Sequence, residues 1–331
     1  MLILSQHDVK ELLTMTDALA AVEEGFRQLA LGTVVMPQRA ATTIPQHSGL
    51  HLSMPAFVGG EIGALTIKIV TVYGDNLTRY GLPTIQGVLL VHDAKTGQVL
   101  AMMDAEHLTA TRTGAASGVA TKYLARADAE TVTLIGAGAL GPGQLAAVCA
   151  VRPIRRAYVV TRTGDKDAAF CKSMESQLGV EVHATRGGLM GANHAITQAD
   201  IICTATNSPT PLFAGAWVRP GTHINAVGAY TRTMRELDTA TIQRSRVFVD
   251  HHPAAQAEAG DILIPIAEQA FTYDQVAGAL GEVITSQVVG RRNDEEITVF
   301  KSVGLAMQDA VTAAQLYAKA IALGRGVQVD L

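Results

Sequence analysis

One glycine-rich stretch, residues 130–148, limits the folds open to this chain more than any other part of its sequence. The apolar run 132–135 predicts a buried parallel strand, and Gly136, Gly138 and Gly141 follow it with the spacing G-x-G-x-x-G before an alanine-rich helical segment. The first glycine allows a tight turn, the second lets backbone approach a pyrophosphate, and the third lets the helix pack on the strand. Among 31 glycines a chance match is the alternative, but the flanking strand and helix favour a dinucleotide site.

The end of the next predicted strand, residues 157–160, indicates which dinucleotide is bound. Thr161, Arg162 and Thr163 stand there, about 20 residues beyond the last glycine, where an NAD site places an Asp or Glu on the ribose 2′-hydroxyl. An arginine between two hydroxyls suits a 2′-phosphate instead, because its planar fork and the neutral donors match phosphate oxygens. A solvated surface arginine is the alternative. The sequence therefore predicts NADP(H) as the preferred cofactor, with NAD(H) as the second choice.

Helical segments, the first over 166–178, alternate with strand-like ones after the glycine loop. With the first two strands, the segments 180–183, 201–206, 223–227 and 247–249 give a series of roughly six, as expected of a doubly wound α/β sheet. Ligands bind such sheets beyond the carboxyl ends of the strands, where residues 204–208 and 227–230 lie. A long alanine-rich helix ending near Leu323 is predicted to return to the first domain.

Composition narrows the class of protein. A chain of 331 residues, with 48% hydrophobic and 17% charged residues, is long enough for two globular domains. The net charge of −4 and the lack of Lys/Arg clusters give no reason to expect nucleic acid. The three cysteines are widely spaced, which fits reduced thiols and neither disulfides nor a metal site. Since the sequence has neither a signal-peptide pattern nor an apolar span of about 20 residues, we expect a cytoplasmic protein without a membrane partner.

The first hundred residues predict a second, α+β domain. A helix through Leu13 and another over 15–31, capped by Thr16 or Asp17, precede strands at 50–54 and 63–73 and a hairpin of 86–92 with 98–104. A helix rich in small residues begins at His107. The strands between residues 50 and 104 look too few to form a sheet alone, so we expect a second copy of the chain over their edges.

Two cations in this part of the chain call for anions. Lys68 interrupts an apolar strand, and burying an ammonium is costly unless it is paired. Arg112 lies near the start of a helix, where the dipole disfavours positive charge, so an acidic or phosphate partner is indicated. The alternatives are a solvent-facing Lys68 and a surface Arg112.

Several blocks of sequence together resemble the ornithine cyclodeaminase/mu-crystallin family, and they follow one another in order over nearly the whole chain. These are residues 36–39 (MPQR), Lys68 with its strand, 108–117 (LTATRTGAAS), 135–138 (IGAG), 224–228 (INAVG) with 235–238 (RELD), 258–261 (EAGD) and 299–306 (VFKSVGLA). The resemblance implies a homodimer with a substrate-binding and dimerisation domain, residues 1–116 and 309–331, and a Rossmann domain, residues 117–308.

The resemblance also assigns roles to particular residues. It implies that Arg39, Lys68 and Arg112 hold a substrate α-carboxylate beside the nicotinamide, with Met54 and Val303 also touching substrate. The implied cofactor contacts are Thr84, Arg112, Gly136, Gly138, Ala139, Leu140, Gly141, Thr161, Arg162, Thr163, Thr204, Thr206, Val227, Gly228 and Ser302.

Tyr230 is the main departure from the family pattern. Cyclodeaminases and the related alanine dehydrogenases place an Asp there, two residues after the glycine of the Asn-Ala-Val-Gly block, to handle the substrate amine and its proton. Without it, oxidation of an amine lacks its obvious base, whereas a cyclic imine already carries the C=N bond and needs only one proton on nitrogen. The expected activity is therefore NAD(P)H-dependent reduction of a small cyclic ketimine, Δ1-pyrroline-2-carboxylate to proline or also Δ1-piperideine-2-carboxylate to pipecolate. Lys68, Tyr230 and a water are the candidate proton donors.

Two other readings stay open. One is an amino-acid dehydrogenase, an ornithine cyclodeaminase or a reductase of an acyclic imine such as iminosuccinate, with His51 or Arg79 meeting a second carboxylate. The other is an NADPH-linked binding protein like mu-crystallin. Retention of Arg39, Lys68 and Arg112 argues against a purely binding role.

Overall fold

The computed structural model describes residues 1–164 and 167–330. The chain divides into two compact units: Met1–Arg112 with Ala306–Leu331, called here the first unit, and Thr113–Leu305, the second unit. The boundary at residue 112 falls inside a continuous helix. Among the described residues, no helix combines the length and apolar character that crossing a bilayer requires.

The elements follow one another in three blocks. The first unit begins with β1 (Leu2–Leu4), α1 (Gln6–Leu12), α2 (Met15–Ala30), β2 (Val34–Val35), β3 (Ala40–Ile44), β4 (Gly49–Val58), β5 (Ala64–Tyr73), α3 (Asn76–Tyr80), β6 (Ile85–Asp93), β7 (Val99–Asp104) and α4 (Glu106–Leu124), which runs on into the second unit. The second unit continues with β8 (Thr131–Ile135), α5 (Gly141–Val151), β9 (Arg156–Val160), α6 (Asp167–Leu178), β10 (Glu181–Ala184), α7 (Ala192–Gln198), β11 (Ile201–Thr204), β12 (His223–Ala226), α8 (Thr239–Gln243), β13 (Ser245–Val249), α9 (His252–Glu258), α10 (Gly260–Ala267), β14 (Val276–Ala279), α11 (Leu280–Ile284) and β15 (Ile297–Lys301). The first unit then closes with α12 (Ala306–Ala322) and β16 (Val327–Gln328).

The first unit is built on a mostly antiparallel sheet. In the part of the chain that the structure describes, it has eight strands in the order β16-β1-β7-β6-β5-β4-β2, with β3 also paired to β4. Burial alternates along β5, where Thr66, Lys68 and Val70 are buried and Ile67 and Ile69 are half-buried. Helix α12 contacts β4, β5 and β6. One face of this sheet is therefore core, and the other is only partly covered.

Two predictions for this unit are wrong. The N-cap of α2 is Thr14, whose hydroxyl accepts a hydrogen bond from the backbone N–H of Asp17 at 3.1 Å, and neither Thr16 nor Asp17 caps the helix. The strands 50–104 do not stand alone, because β1, β2, β3 and β16 of the same chain extend the sheet at both edges. The number of strands therefore gives no reason to expect a second chain.

The second unit is a doubly wound parallel sheet, as the sequence predicts. Its order is β10-β9-β8-β11-β12-β15-β13-β14, so the direction of winding reverses between β8 and β11. Neighbouring residues of one strand pack into different hydrophobic clusters: Leu134 with Leu145 and Val148 of α5, and Ile135 with Ile196 of α7. Helices thus cover both faces, as they must when a parallel sheet is buried.

The sheet is larger than the predicted series of roughly six strands. Strands β14 and β15 were not foreseen, and β15 lies between β12 and β13. Strand β15 ends in Lys301, and this charge makes the segment look less like a buried strand in the sequence. All five of its residues are nevertheless buried. The predicted helix start at Lys166 lies outside the described residues, and α6 is described from Asp167.

Candidate active site

The glycine loop lies at the reversal point of the parallel sheet, between the ends of β8 and β11. Gly136 adopts a φ of +106°, and a Cβ there would come 2.6 Å from the backbone oxygen of Ala205. A Cβ on Gly141, the first residue of α5, would come 2.9 Å from the carbonyl oxygen of Gly136. At Gly138 a Cβ would meet nothing within 4 Å. Two of the glycines are therefore required by packing, and the third leaves open space beside the helix N-terminus, as a bound pyrophosphate needs.

A buried carboxylate, Glu236, ties the neighbouring strand ends together. It accepts hydrogen bonds from the hydroxyl of Thr204 (2.8 Å), the backbone and hydroxyl of Thr206 (2.7 and 2.8 Å) and the backbone N–H groups of Gly228 and Ala229 (2.8 and 3.2 Å). Burial, and then the charge of Asp261, raises the pKa of Glu236. The sequence placed Thr204, Thr206 and Gly228 at the cofactor, and the structure brings them together around a residue that was not foreseen.

A second buried acid supports the first. Asp261 accepts from the backbone N–H groups of Glu236 and Leu237 at 2.6 and 2.9 Å. It forms an ion pair of 2.8 Å with Lys301, and both side chains are fully buried. Lys301 also donates to the carbonyl oxygen of Ala229 at 2.5 Å. This network explains why the 235–238 and 258–261 blocks appear in the sequence, which alone gave them no role.

The loop after β15 is held in the same way. Asp250, which directly follows β13, accepts from the hydroxyl of Ser302 and the backbone N–H of Val303, both at 2.8 Å, and from the backbone N–H of Gly304 at 3.0 Å. Ser302 and Val303, predicted to meet cofactor and substrate, are thereby fixed just past the carboxyl end of the sheet. Val227 follows β12 at that edge, and Tyr230 lies half-buried in the same loop.

The end of β9 carries the residues predicted to select the cofactor. Arg162 and Thr163 are exposed. The hydroxyl of Thr161 donates to a carboxylate oxygen of Asp167 at 2.5 Å and accepts from the backbone N–H of Gly164 at 3.0 Å. Asp167 is fully buried. Its carboxylate therefore does not project into the solvent at this strand end, where a ribose would bind.

Lys68 lies on the buried face of the first unit, which excludes the solvent-facing alternative. It is 2% exposed, and its partners in the β-sheet register are Met54 on β4 and Leu89 on β6. Met54, a predicted substrate contact, is therefore beside it on the same face. Thr109 of α4 accepts a long hydrogen bond of 3.4 Å from the Lys68 ammonium.

The anion that Lys68 and Arg112 require is Asp309 of α12. One carboxylate oxygen lies 2.8 Å from Nζ of Lys68, and the other accepts from Nε of Arg112 at 2.8 Å. Gln308 accepts from Nη1 of Arg112 at 2.5 Å. Arg112 is buried and about two turns into α4, so the carboxylate and not the helix dipole accounts for it. We call Lys68, Arg112 and Asp309 the cation cluster.

Charge and burial act against each other at Lys68. The pKa of Lys68 is lowered to about 8, chiefly by burial and also by the charges of Arg112 and Arg39, while Asp309 acts in the opposite direction. Arg39, half-buried in the segment before β3, thus lies near enough to act on the cluster. Thr84 is in the loop before β6, where its carbonyl oxygen accepts from the backbone N–H of Tyr73 at 2.8 Å. No described contact joins Thr84 to the cluster.

A parallel sheet with a glycine loop at its reversal point defines a dinucleotide-binding protein of the Rossmann class. The chain belongs to the ornithine cyclodeaminase/mu-crystallin family, whose model matches residues 1–323.

Individual relatives match this chain over 99% or more of its length. The chain is 37% identical to the Δ1-pyrroline-2-carboxylate reductase of Bacillus thuringiensis subsp. konkukian, covering 100% of both. The structure of Thermococcus litoralis Δ1-pyrroline-2-carboxylate reductase in complex with NADH and L-proline superimposes with a TM-score of 0.95, at 40% identity, covering 99% of this chain and 100% of that one. An archaeal alanine dehydrogenase dimer with bound NAD gives 0.92 at 33% identity, covering 100% and 99%.

Proposed function

We propose that this protein reduces the C=N bond of a small cyclic imino acid, with Δ1-pyrroline-2-carboxylate to L-proline as the main reaction and Δ1-piperideine-2-carboxylate to L-pipecolate as a second. The observation that carries the proposal is the cation cluster, in which two buried cations share one carboxylate. The names of the 37% and 40% identical relatives point to the same substrate. A nicotinamide dinucleotide supplies the hydride when it is bound.

The first task of the protein's own residues is to orient the substrate. Lys68 and Arg112, together with Arg39, would hold its carboxylate by charge-assisted hydrogen bonds, which are shorter and stronger than neutral ones. Because Lys68 and Arg112 are buried, their attraction for an anion is screened less than at the surface. Orientation and fixed charge of this kind account for several kcal/mol of barrier lowering, by the order of magnitude known for enzymes.

The second task is to protonate the imine nitrogen. Lys68 is one candidate, because burial brings its pKa to about 8 and an acid works best when its pKa lies near the operating pH. Tyr230, half-buried in the loop after β12, is the other. Since a tyrosine stands where the cyclodeaminases have an aspartate, position 230 supplies no carboxylate to anchor and deprotonate an amine.

For the cofactor, we propose that the glycine loop and the residues around Glu236 bind the dinucleotide and that NADPH is preferred over NADH. Arg162 and Thr163 are exposed at the end of β9 and available to a 2′-phosphate, and the neighbouring acid that the structure describes, Asp167, is buried and bonded to Thr161. The solved relatives named above hold NADH and NAD, so titration of this protein with both reduced cofactors decides the point. Equal affinity would refute the preference.

The proposed reaction is tested with a panel of imino and amino acids, assayed with each cofactor. We expect rapid reduction of Δ1-pyrroline-2-carboxylate and poor oxidation of proline, alanine and ornithine near neutral pH. Lys68→Ala and Arg112→Ala should each lower kcat/KM strongly, and their effects should be less than additive because both serve one anion. Tyr230→Asp should reduce the bias toward imine reduction.

Other outcomes separate the remaining readings. Deamination of alanine or ornithine at a rate comparable to imine reduction would favour a dehydrogenase or cyclodeaminase, and turnover of iminosuccinate a reductase of acyclic imines. Cofactor binding without turnover of any imine would indicate a binding protein.

We also propose that two copies associate through the partly covered face of the first sheet. Ile69 of β5 and Val88 of β6 are register partners on that face, and Val88 is 38% exposed. Tyr80, at the end of α3, and Leu82, just after that helix, are 68% and 47% exposed. We infer that these residues contribute to one apolar surface, of the kind typical of protein–protein contact.

The cysteines support a cytoplasmic location. All three are free, and burial raises their pKa values to about 11 or 12. Unpaired, protonated thiols of this kind fit the reducing cytoplasm.

A further inference from the structure

We propose that Asp309 is a positioning residue of the substrate site: shared between Lys68 and Arg112, its carboxylate fixes the geometry of both cations and keeps Lys68 protonated while the enzyme works. This inference rests on the proposed function for its kinetic consequence, but its electrostatic part concerns the unliganded protein.

The geometry is that of a bridge between three elements. Lys68 comes from β5, Arg112 from α4 and Asp309 from α12, and each oxygen of the carboxylate serves a different cation at 2.8 Å. All three side chains are nearly or fully buried, with exposed fractions of 2%, 6% and 0%. A carboxylate used in this way fixes the directions in which the two cations point.

The charges explain why an acid is needed here. Two buried cations side by side repel each other and lose hydration, and a buried charge deprived of its partner is strongly destabilising. Within the cation cluster one negative charge meets two positive ones. The cluster therefore keeps one net positive charge, the amount that matches a single substrate carboxylate.

The groups around Lys68 determine its protonation. Among the described residues, Asp309 on α12 favours the ammonium, whereas burial, Arg112 on α4 and Arg39 before β3 disfavour it. Thr109 on α4, Met54 on β4 and Leu89 on β6 face it without charge. With Asp309 neutralised, every remaining influence acts against the ammonium, so Lys68 would lose its proton at a lower pH.

The test is a titration of Lys68 in the full-length protein. Its side-chain resonance, assigned by its disappearance in Lys68→Met, is followed with pH by NMR of 13C-lysine protein in the wild type and in Asp309→Asn. The matched control is Asp17→Asn, which breaks another ion pair of α12, that of Lys319 with Asp17 at 2.7 Å on α2. We expect the titration of Lys68 to move by at least about one pH unit toward acid in Asp309→Asn and to stay in place in Asp17→Asn.

The kinetic readout is the alkaline limb of kcat/KM for the imine, measured with the same variants. We expect that limb to shift with the Lys68 titration in Asp309→Asn, while Asp309→Glu, which keeps the charge, should stay close to the wild type. A lower melting temperature without a shift of the Lys68 titration would mean that Asp309 is only structural, and the inference would be overturned.

Two further outcomes keep the conclusions separate. If Lys68 titrates as expected but kcat/KM does not follow it, Asp309 controls the lysine and the proposed carboxylate-binding role of Lys68 is wrong. If Asp309→Asn does not fold, Asp309→Ser, which also removes the charge, decides: a Lys68 titration moved by about one unit toward acid supports the proposal, and an unchanged one overturns it.

Discussion

His223 shows how a single buried residue makes the stability of this protein depend on pH. It is fully buried, with hydrogen bonds from its ring to Thr298 at 2.9 Å and Asn225 at 3.2 Å. Burial lowers the pKa of His223 from 6.5 to about 3, so the folded protein holds it neutral in mild acid. Between those values the unfolded chain binds the extra proton, and stability therefore falls as the pH drops from about 6.5 toward 3.

The corresponding variant is His223→Gln, which retains polar atoms but does not titrate. We expect its free energy of unfolding to fall less between pH 7 and pH 4 than that of the wild type, by a few kcal/mol at about 1.4 kcal/mol per unit of pKa difference. Urea unfolding at several pH values measures this. His183→Gln, at an exposed position, is the control, and parallel curves for the wild type and His223→Gln would contradict the prediction.

Arg162 is the residue on which cofactor choice is expected to depend. Arg162→Ala should weaken NADPH binding about tenfold or more, because a charge-assisted contact is lost, and should leave NADH binding nearly unchanged. Fluorescence titration with both cofactors gives the two dissociation constants. Arg186→Ala, another arginine of the second unit, serves as a control, and equal losses for NADPH and NADH would show that Arg162 does not read the 2′-phosphate.

Residue patterns predicted the need for an anion near Lys68 and Arg112 but not its identity. Asp309 is 197 positions from Arg112, and no local pattern links residues so far apart. The available signal was a lone acid in the first turns of an alanine-rich helix. Glu236, Asp250 and Asp261 were missed for the same reason, since each exerts its effect through backbone groups that only the folded chain brings near.

At the scale of elements, the glycine loop contains one glycine that packing requires, Gly136, and one that we expect only cofactor binding to require, Gly138. Gly136→Ala would force a Cβ against the backbone oxygen of Ala205 at a φ of +106°, so we expect a clear loss of stability. Gly138→Ala meets open space, so the fold should keep its melting temperature while the bound pyrophosphate loses its close approach. Thermal unfolding and cofactor titration of both variants test the contrast. Normal cofactor affinity in Gly138→Ala would place the phosphates elsewhere.

Strands and helices were predictable where one periodicity dominates. The alternating β5 and the apolar β8 were found within a residue or two, because burial on one face or on both leaves a clear pattern. Strand β15 was not predicted, because its last residue, Lys301, is charged. The acid that pairs with Lys301, Asp261, lies in α10, far away in the sequence. The short β1 was predicted with its observed bounds, Leu2–Leu4, whereas β2 and β16, of two residues each, exist through pairing with β4 and β1, which the sequence alone does not show.

For the whole molecule, the expected assembly is a dimer formed by the partly covered sheet face. Light scattering should give twice the 34.8 kDa mass of one chain. Val88→Glu should shift the mass toward one chain, because a charge opposite Ile69 would be buried without a partner. Leu31→Glu, at an exposed apolar residue after α2, should not. A single-chain mass for the wild type at micromolar concentration would contradict the proposal.

Because the first unit consists of two separate stretches of sequence, its parts are synthesised at different times. Helix α12, which carries Asp309, leaves the ribosome only after all of Thr113–Leu305 has been synthesised. Until then Lys68 and Arg112 have no Asp309 beside them, and the sheet face that α12 contacts is open. Synthesis from the N-terminus thus favours folding of the second unit before the first. Strands β4, β5 and β6 are made early but can pack against α12 only after that helix has been synthesised.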